Sequence, residues 1–343
     1  MGLRFADDLD AWQRWQRGRH LMRRVRDLSR RAERASVVLH TRGVEPTVLF
    51  ALDATTPTAL ASVLEPLARL GETPVAIVAP EDVSPHLPGR WSAELISDAE
   101  VPPVDLRGIR AVVSLGHYQP VGRAAYDWAQ RIGARYVVVQ HGLLTPFAPP
   151  LPRGAHLLSF SDHDAEFWRS GRSDITSQVV GSQLLWNASH NPSAPQPESS
   201  PLTFLGQLHG AELPRRISAA TARSFCLEQG ALYRPHPAEV DLVSRWQHDR
   251  WQQRGIRFAE SGPLGSSSGP VVSIFSTGVL EAAAAGRDAW VTCVRTPDWV
   301  RDFWRRYSLS EWGGDPTAPP PQPEREPAAA IADAVLDIAG GGR

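Results

Sequence analysis

The chain alternates short, continuous apolar runs with longer amphipathic stretches. Residues 47–52, 74–79, 111–115, 136–139 and 157–160 are rich in β-branched residues and too short for buried helices, so they read as strands. Helical periodicity occupies 57–70, 121–132 and 162–170, and 178–180 is a short extended piece. Apolar strands separated by helices predict a parallel sheet covered on both faces, Rossmann-like in layout. No G-x-G-x-x-G follows the first strand, so this half carries no dinucleotide fingerprint.

Residues 187–201 hold four prolines and no apolar periodicity, and read as a linker. A second series follows, with strands at 202–205, 231–233 and 256–258 and helices at 214–228 and 238–253. In 271–292 a strand, the turn Ser276-Thr277-Gly278 and an Ala-rich helix closed by Gly286 come in that order. Residues 299–307 are helical, 315–327 form a proline-rich crossing, and 327–338 form a last helix packing on either half. Ahead of all this, 7–35 is an amphipathic basic helix. Leu9, Trp12, Met22, Val25, Leu28 and Ala32 share one face, and Arg17, Arg23, Arg24, Arg30 and Arg31 surround it. It either packs on the first half or lies on an anionic membrane surface. The expected domains are therefore 1–36, 37–186, the linker 187–201, 202–314 and 315–343, with two parallel sheets facing a central cleft.

Charge is balanced, 36 basic against 37 acidic residues, which excludes a generic nucleic-acid binder. Every basic residue is arginine, a compositional bias without functional content. Cys226 and Cys293 lie in apolar elements without a partner at metal-binding spacing, as in a reducing cytoplasm. No run approaches the ~20 apolar residues of a membrane span, and no signal-peptide core opens the chain. The expectation is a cytoplasmic protein, at most peripheral to the inner face of the plasma membrane.

Four loops at carboxyl ends of predicted strands carry candidate chemistry. Gln140-His141-Gly142 and Gly116-His117-Tyr118 each present a histidine suited to act as general base on an acceptor hydroxyl. Arg234-Pro235-His236-Pro237 holds an imidazole and a guanidinium between prolines, a phosphate clamp, with Glu239 serving the dipole of the next helix. The loop 206–210 offers Gln207 and His209 to a ligand on a glycine-rich backbone. In the turn after residue 275, Ser276, Thr277 and Gly278 place hydroxyls and backbone N–H groups at a helix start, which favours phosphate, while Glu281 one turn on suits ribose hydroxyls. A plain capped helix is the alternative for that turn. P-loop, H-E-x-x-H, G-x-S-x-G and Asp-x-Asp motifs are missing, and Asp162-His163-Asp164 reads as helix-start caps, so neither metal nor separate cofactor is expected.

Together, Q-H-G ending a strand in the first half, and R-P-H-P with a hydroxyl turn and a helix glutamate in the second, resemble a group of GT-B glycosyltransferases. The group comprises CDP-glycerol glycerophosphotransferases of teichoic acid synthesis, bacterial polysialyltransferases and capsular Kdo transferases, with an actinobacterial branch. The resemblance implies a metal-independent, inverting transfer of a sugar or polyol phosphate from a nucleotide-activated donor, CMP- or CDP-linked before UDP or GDP. The acceptor it implies is a hydroxyl of a cell-surface glycan or lipid-linked precursor. It assigns donor binding to His236, Ser276 and Thr277, ribose to Glu281, and prefers His141 over His117 as base. A UDP-N-acetylglucosamine 2-epimerase-like isomerase is a rival, although those enzymes pair two glutamates where Glu281 is followed by Ala282. A non-catalytic nucleotide-sugar-binding protein is the third reading.

Overall fold

The computed structural model describes residues 2–19, 36–97, 99, 101–103, 106–192, 200–208, 210–259 and 269–341. It divides into two compact units at Leu184 and Leu185, and the segment from Pro323 onward belongs to the first. The first unit holds α1 (Leu9–Arg19), β1 (Val37–Arg42), β2 (Val48–Ala51), α2 (Pro57–Ala68), β3 (Val75–Ala79), β4 (Ser92–Ile96), β5 (Ala111–Ser114), α3 (Pro120–Ile132), β6 (Arg135–Val139), β7 (His156–Ser159), α4 (Asp162–Arg169) and β8 (Thr176–Val179). Helix α5 (Gln183–His190) spans the division.

Its eight strands run in the order β4-β1-β3-β2-β5-β6-β7-β8. From β3 to β8 the pairing is parallel, and β2, β3 and β5 are buried along their full length. The alternation of side chains along β2 explains why: Val48 and Phe50 enter one core, Leu49 and Ala51 the other. The expected wholly parallel sheet is corrected at one edge, where β1 pairs antiparallel with both β3 and β4. All of β4 is exposed or half-exposed, and an antiparallel edge tolerates a wet face that parallel strands do not.

The last helix, α10 (Pro327–Gly340), packs against α2, and Ile331, Ala332 and Val335 join the core that contains Phe50. Gln183 fixes its start: Gln183 Oε1 accepts the Ala328 N–H at 2.6 Å, and Nε2 donates to Glu65 at 2.9 Å. The described part of the N-terminal helix, α1, lies on the first unit through its tryptophans. Trp12 donates to the Phe147 carbonyl at 2.8 Å, and Trp15 stacks on Phe147 with ring centres 4.9 Å apart. Arg17 is exposed, while Arg23, Arg24, Arg30 and Arg31 fall outside the described residues.

The second unit holds β9 (Thr203–Leu205), α6 (Arg215–Gln229), β10 (Leu232–Arg234), α7 (Leu242–Gln252), β11 (Val271–Ser273), α8 (Thr277–Ala284), β12 (Ala289–Val291) and α9 (Asp298–Arg306). Its sheet is parallel throughout, in the order β10-β9-β11-β12. The expected strand at 256–258 reduces to a single bridge from Phe258 to Tyr233. The helix expected from residue 238 begins at Leu242, because Asp241 caps it by accepting from the N–H groups of Val243 and Ser244. Among the described residues no helix is long and apolar enough to cross a membrane.

A tight backbone approach organises the first unit's loops. A Cβ on Gly122, at the start of α3, would run into the Gly116 carbonyl. Gly122→Ala is therefore expected to lower the unfolding free energy by about 2 kcal/mol, the usual range for overpacking, as read from urea denaturation; Gly154→Ala, whose added Cβ meets nothing but strains a positive φ, should cost less.

Candidate functional site

Two groups of loops at carboxyl ends of strands collect the chemistry, one in each unit. In the first unit the G-H-Y loop follows β5 and the Q-H-G loop follows the neighbouring strand β6. A buried chain of hydrogen bonds fixes the first of them. Gly116 N–H donates to Ser114 Oγ at 2.9 Å, Ser114 Oγ donates to Tyr136 at 2.6 Å, and the Tyr136 hydroxyl donates to the Gly122 carbonyl at 2.9 Å. The start of α3 is answered from the loop after β2. Asp53 Oδ1 accepts from Val121 N–H at 2.8 Å and Oδ2 from Gly122 N–H at 2.9 Å. Burial nevertheless raises the Asp53 pKa above the usual carboxylate range, against the lowering by these two bonds.

His117 is buried and meets the edge of Tyr126 at 5.2 Å. Its pKa is lowered to about 4, first by burial and then by the positive charges of Arg123 and Arg172. His141 is held by its neighbour: Gln140 Oε1 accepts the Phe160 N–H at 2.9 Å and Gln140 Nε2 donates to the Gly142 carbonyl at 3.0 Å. Burial alone lowers the His141 pKa to about 4. In both rings Nδ1 is buried without a hydrogen-bond partner among the described residues. Both imidazoles are therefore neutral at pH 7.

In the second unit the loops after β9, β10 and β11 lie side by side. Ser276 caps α8, its Oγ accepting from Gly278 N–H at 3.1 Å, so that N–H is already used. His236 is exposed, and its Nδ1 accepts from Ala238 N–H at 3.1 Å, which leaves Nε2 as the protonated nitrogen of the neutral ring. Gln207 Oε1 accepts from Ser273 Oγ at 3.1 Å and from Phe275 N–H at 3.0 Å, joining the loops after β9 and β11. His209 lies outside the described residues.

Glu281 is half-buried one turn into α8 beside two guanidiniums. Burial raises its pKa, while Arg287 and Arg234 pull it down. Both arginines are lowered by burial and supported by Glu281. The sequence singled out Arg234 and Glu281 but not Arg287. This buried residue donates to the Gly269 carbonyl at 2.9 Å and stands after Gly286 at the entry to β12, where nothing local marks it as part of a site. Arg287 is held ahead of β11 and the hydroxyl turn follows that strand, so of the two guanidiniums only Arg234, at the end of β10, shares the carboxyl edge with the turn.

Glu239 has a different place from the helix-dipole role expected of it. It is buried ahead of α7, and accepts from Leu208 N–H at 2.9 Å and from the Tyr233 hydroxyl at 2.8 Å, with His248 Nε2 at 3.0 Å. Tyr233 and Glu239 also press on Gly206, where a Cβ would strike both side chains. Asp162 and Asp164 stand in the first turn of α4, whose cap is Ser161. Among the described residues no group of three or more His, Cys, Asp or Glu is arranged to hold a metal ion.

No family model and no curated protein matches the chain. Among solved structures it is similar to a pneumococcal O-GlcNAc transferase in complex with UDP and GlcNAc, at 11% identity and a TM-score of 0.37 over 73% of this chain and 55% of that one. It is also similar to a mutant of the Thermobaculum terrenum O-GlcNAc transferase, at 15% identity and a TM-score of 0.42 over 87% of this chain and 62% of that one. The chain thus spans 55% and 62% of the lengths of these two proteins, a likeness that leaves activity to be argued from the site.

The buried histidines have a consequence for stability. The folded form resists protonating His117 until about pH 4, while an unfolded histidine takes its proton near 6.5. The unfolded state therefore binds more protons in that window, and stability, constant above pH 6.5, falls as pH drops toward 4. Urea midpoints measured from pH 7 to 4 should show this fall, and His117→Asn, which cannot titrate there, should flatten part of it.

Proposed function

We propose that this protein is a nucleotide-sugar-dependent glycosyltransferase whose second unit binds the activated donor and whose first unit handles the acceptor. The observation that carries this reading is the half-buried pair of Arg234, at the end of β10, and Glu281, one turn into the helix that the Ser276-Thr277 turn opens. A phosphate fits that arrangement: the Arg234 guanidinium and the His236 Nε2–H supply donors, and the start of α8 adds its dipole. Glu281, whose ionised form Arg287 and Arg234 support, is suited to accept from a ribose hydroxyl. The family resemblance that the Q-H-G and R-P-H-P motifs carry, and that alone, puts CMP- or CDP-linked donors ahead of UDP and GDP.

In the proposed reaction an acceptor hydroxyl oxygen attacks the anomeric carbon while the bond from that carbon to the nucleotide's phosphate oxygen breaks. The leaving oxygen keeps the electron pair and is stabilised by Arg234 and His236. The hydroxyl proton passes to the imidazole of His141. A neutral ring at pH 7 has its lone pair available, and no carboxylate in the described loops tunes it upward. The acceptor in this reading is a hydroxyl of a cell-surface glycan or its lipid-linked precursor.

Thermal-shift measurements with CMP, CDP, UMP, UDP, GDP and ADP test the donor half. One nucleotide at roughly 100 times its Kd should stabilise the wild type by about 2.7 kcal/mol, and Glu281→Ala or Arg234→Ala should abolish the shift; no shift from any of them rejects the reading. Once a donor is identified, kcat/KM is expected to follow a base of pKa about 4, with a plateau through neutral pH. His141→Gln should lower kcat by 100-fold or more, the order of a lost general base, with donor affinity intact. An unchanged rate would reject His141 as base, and donor binding without turnover in the wild type would leave a non-catalytic binder.

A further inference from the structure

Gln207 stands on the loop after β9, and its amide is held in one orientation. The carbonyl oxygen accepts from Phe275 N–H and lies 3.1 Å from Ser273 Oγ, whose one proton it shares with the Leu205 carbonyl, so the amide nitrogen is on the opposite side of the group. That nitrogen has no acceptor among the described residues and is not enclosed. A side chain fixed in this way can only donate. Whatever it meets in the ligand has to be an acceptor, such as a phosphate oxygen or a base carbonyl.

The loop that carries it is held from below. Glu239 accepts the N–H of Leu208, the residue after Gln207, and is itself gripped by the Tyr233 hydroxyl and His248. Arg215 closes the other side, donating to the Leu208 carbonyl at 3.3 Å and to Ser244 Oγ at 2.9 Å. One line of hydrogen bonds thus runs from a buried carboxylate before α7, through the loop after β9, to the backbone just ahead of α8. These contacts bridge 31 residues from Leu208 to Glu239 and 68 from Gln207 to Phe275. Buried polar groups of this sort are costly unless fully satisfied, and Glu239 has a donor on both oxygens.

We infer that Gln207 reads a hydrogen-bond acceptor on the ligand through its amide nitrogen, and that Glu239 is the positioning residue that aims it. The first half rests on the nucleotide reading above; the second does not. Isosteric replacement separates reading from bracing. In Gln207→Glu one carboxylate oxygen keeps the bond from Phe275 N–H and the contact with Ser273 Oγ, while the donor becomes an acceptor. The nucleotide that stabilises the wild type should bind this variant at least tenfold more weakly with the ligand-free melting temperature unchanged. Unchanged affinity overturns the reading role, and equal losses of affinity and melting temperature show a brace only.

Hydrogen exchange on the ligand-free protein tests the positioning half without any nucleotide. Tyr233→Phe removes one hydrogen bond to Glu239 without opening a cavity, and the Leu208 and Phe275 amides should then exchange together, faster by roughly fivefold, the worth of one net hydrogen bond. The strand amides of β9 should not change. Acceleration at Leu208 with none at Phe275 overturns the coupling, as does no change at either. A wild type that binds none of the nucleotides overturns the reading half along with the proposed function, and the exchange result still decides the other half.

Discussion

Backbone N–H groups at the carboxyl edge of a parallel sheet have to be satisfied where water is scarce, and each unit meets this demand with one carboxylate placed far away in sequence. In the first, Asp53 at the end of β2 accepts from the opening N–H groups of α3. In the second, Glu239 accepts from Leu208 and takes a hydroxyl and an imidazole besides. These acids are spent on the loops themselves. The loops are then stiff enough to hold His117 and Gln207 at fixed positions.

The two loop groups differ in electrostatic character. The first presents imidazoles that burial keeps neutral. The second keeps charge: the half-buried Arg234 and Glu281, with the buried Arg287 also supporting the ionised glutamate. That division is what the group transfer proposed above would need, since one group removes a proton while the other receives negative charge. Partial burial strengthens the second group because fewer waters compete for the same charges.

The parallel strands were legible in the sequence because burial on both faces writes itself as an uninterrupted apolar run, as in Val75–Ala79. The antiparallel pair at the edge was not, since β4 is exposed and its sequence, SAELI, has no run to recognise. The Ser276 cap and the closing Gly286, with φ of 77°, follow from local chemistry and could be read locally. Asp53, Glu239 and Arg287 could not be placed that way. Their partners are set by the fold: Asp53 meets Val121 across 68 residues, and Glu239 meets Leu208 across 31. Glu239 misled in a specific manner, for an acid near a helix start reads as a dipole partner, and only the later start at Leu242 frees it for the interior.

The position of α10 bears on how the chain is made. Its residues Ile331, Ala332 and Val335 fill the same core as Phe50 and Val113, so the first unit lacks part of its interior until those residues exist. The whole of the second unit, from Leu185 to Gln322, is translated in between. During synthesis the inserted unit can complete its own sheet and fold early, while the unit begun first stays open at one face of β2 and β5 until the ribosome has passed α10. Cotranslational order is thus the reverse of sequence order, and a chain stalled before residue 327 leaves the first unit with an uncovered apolar face for chaperones to shield.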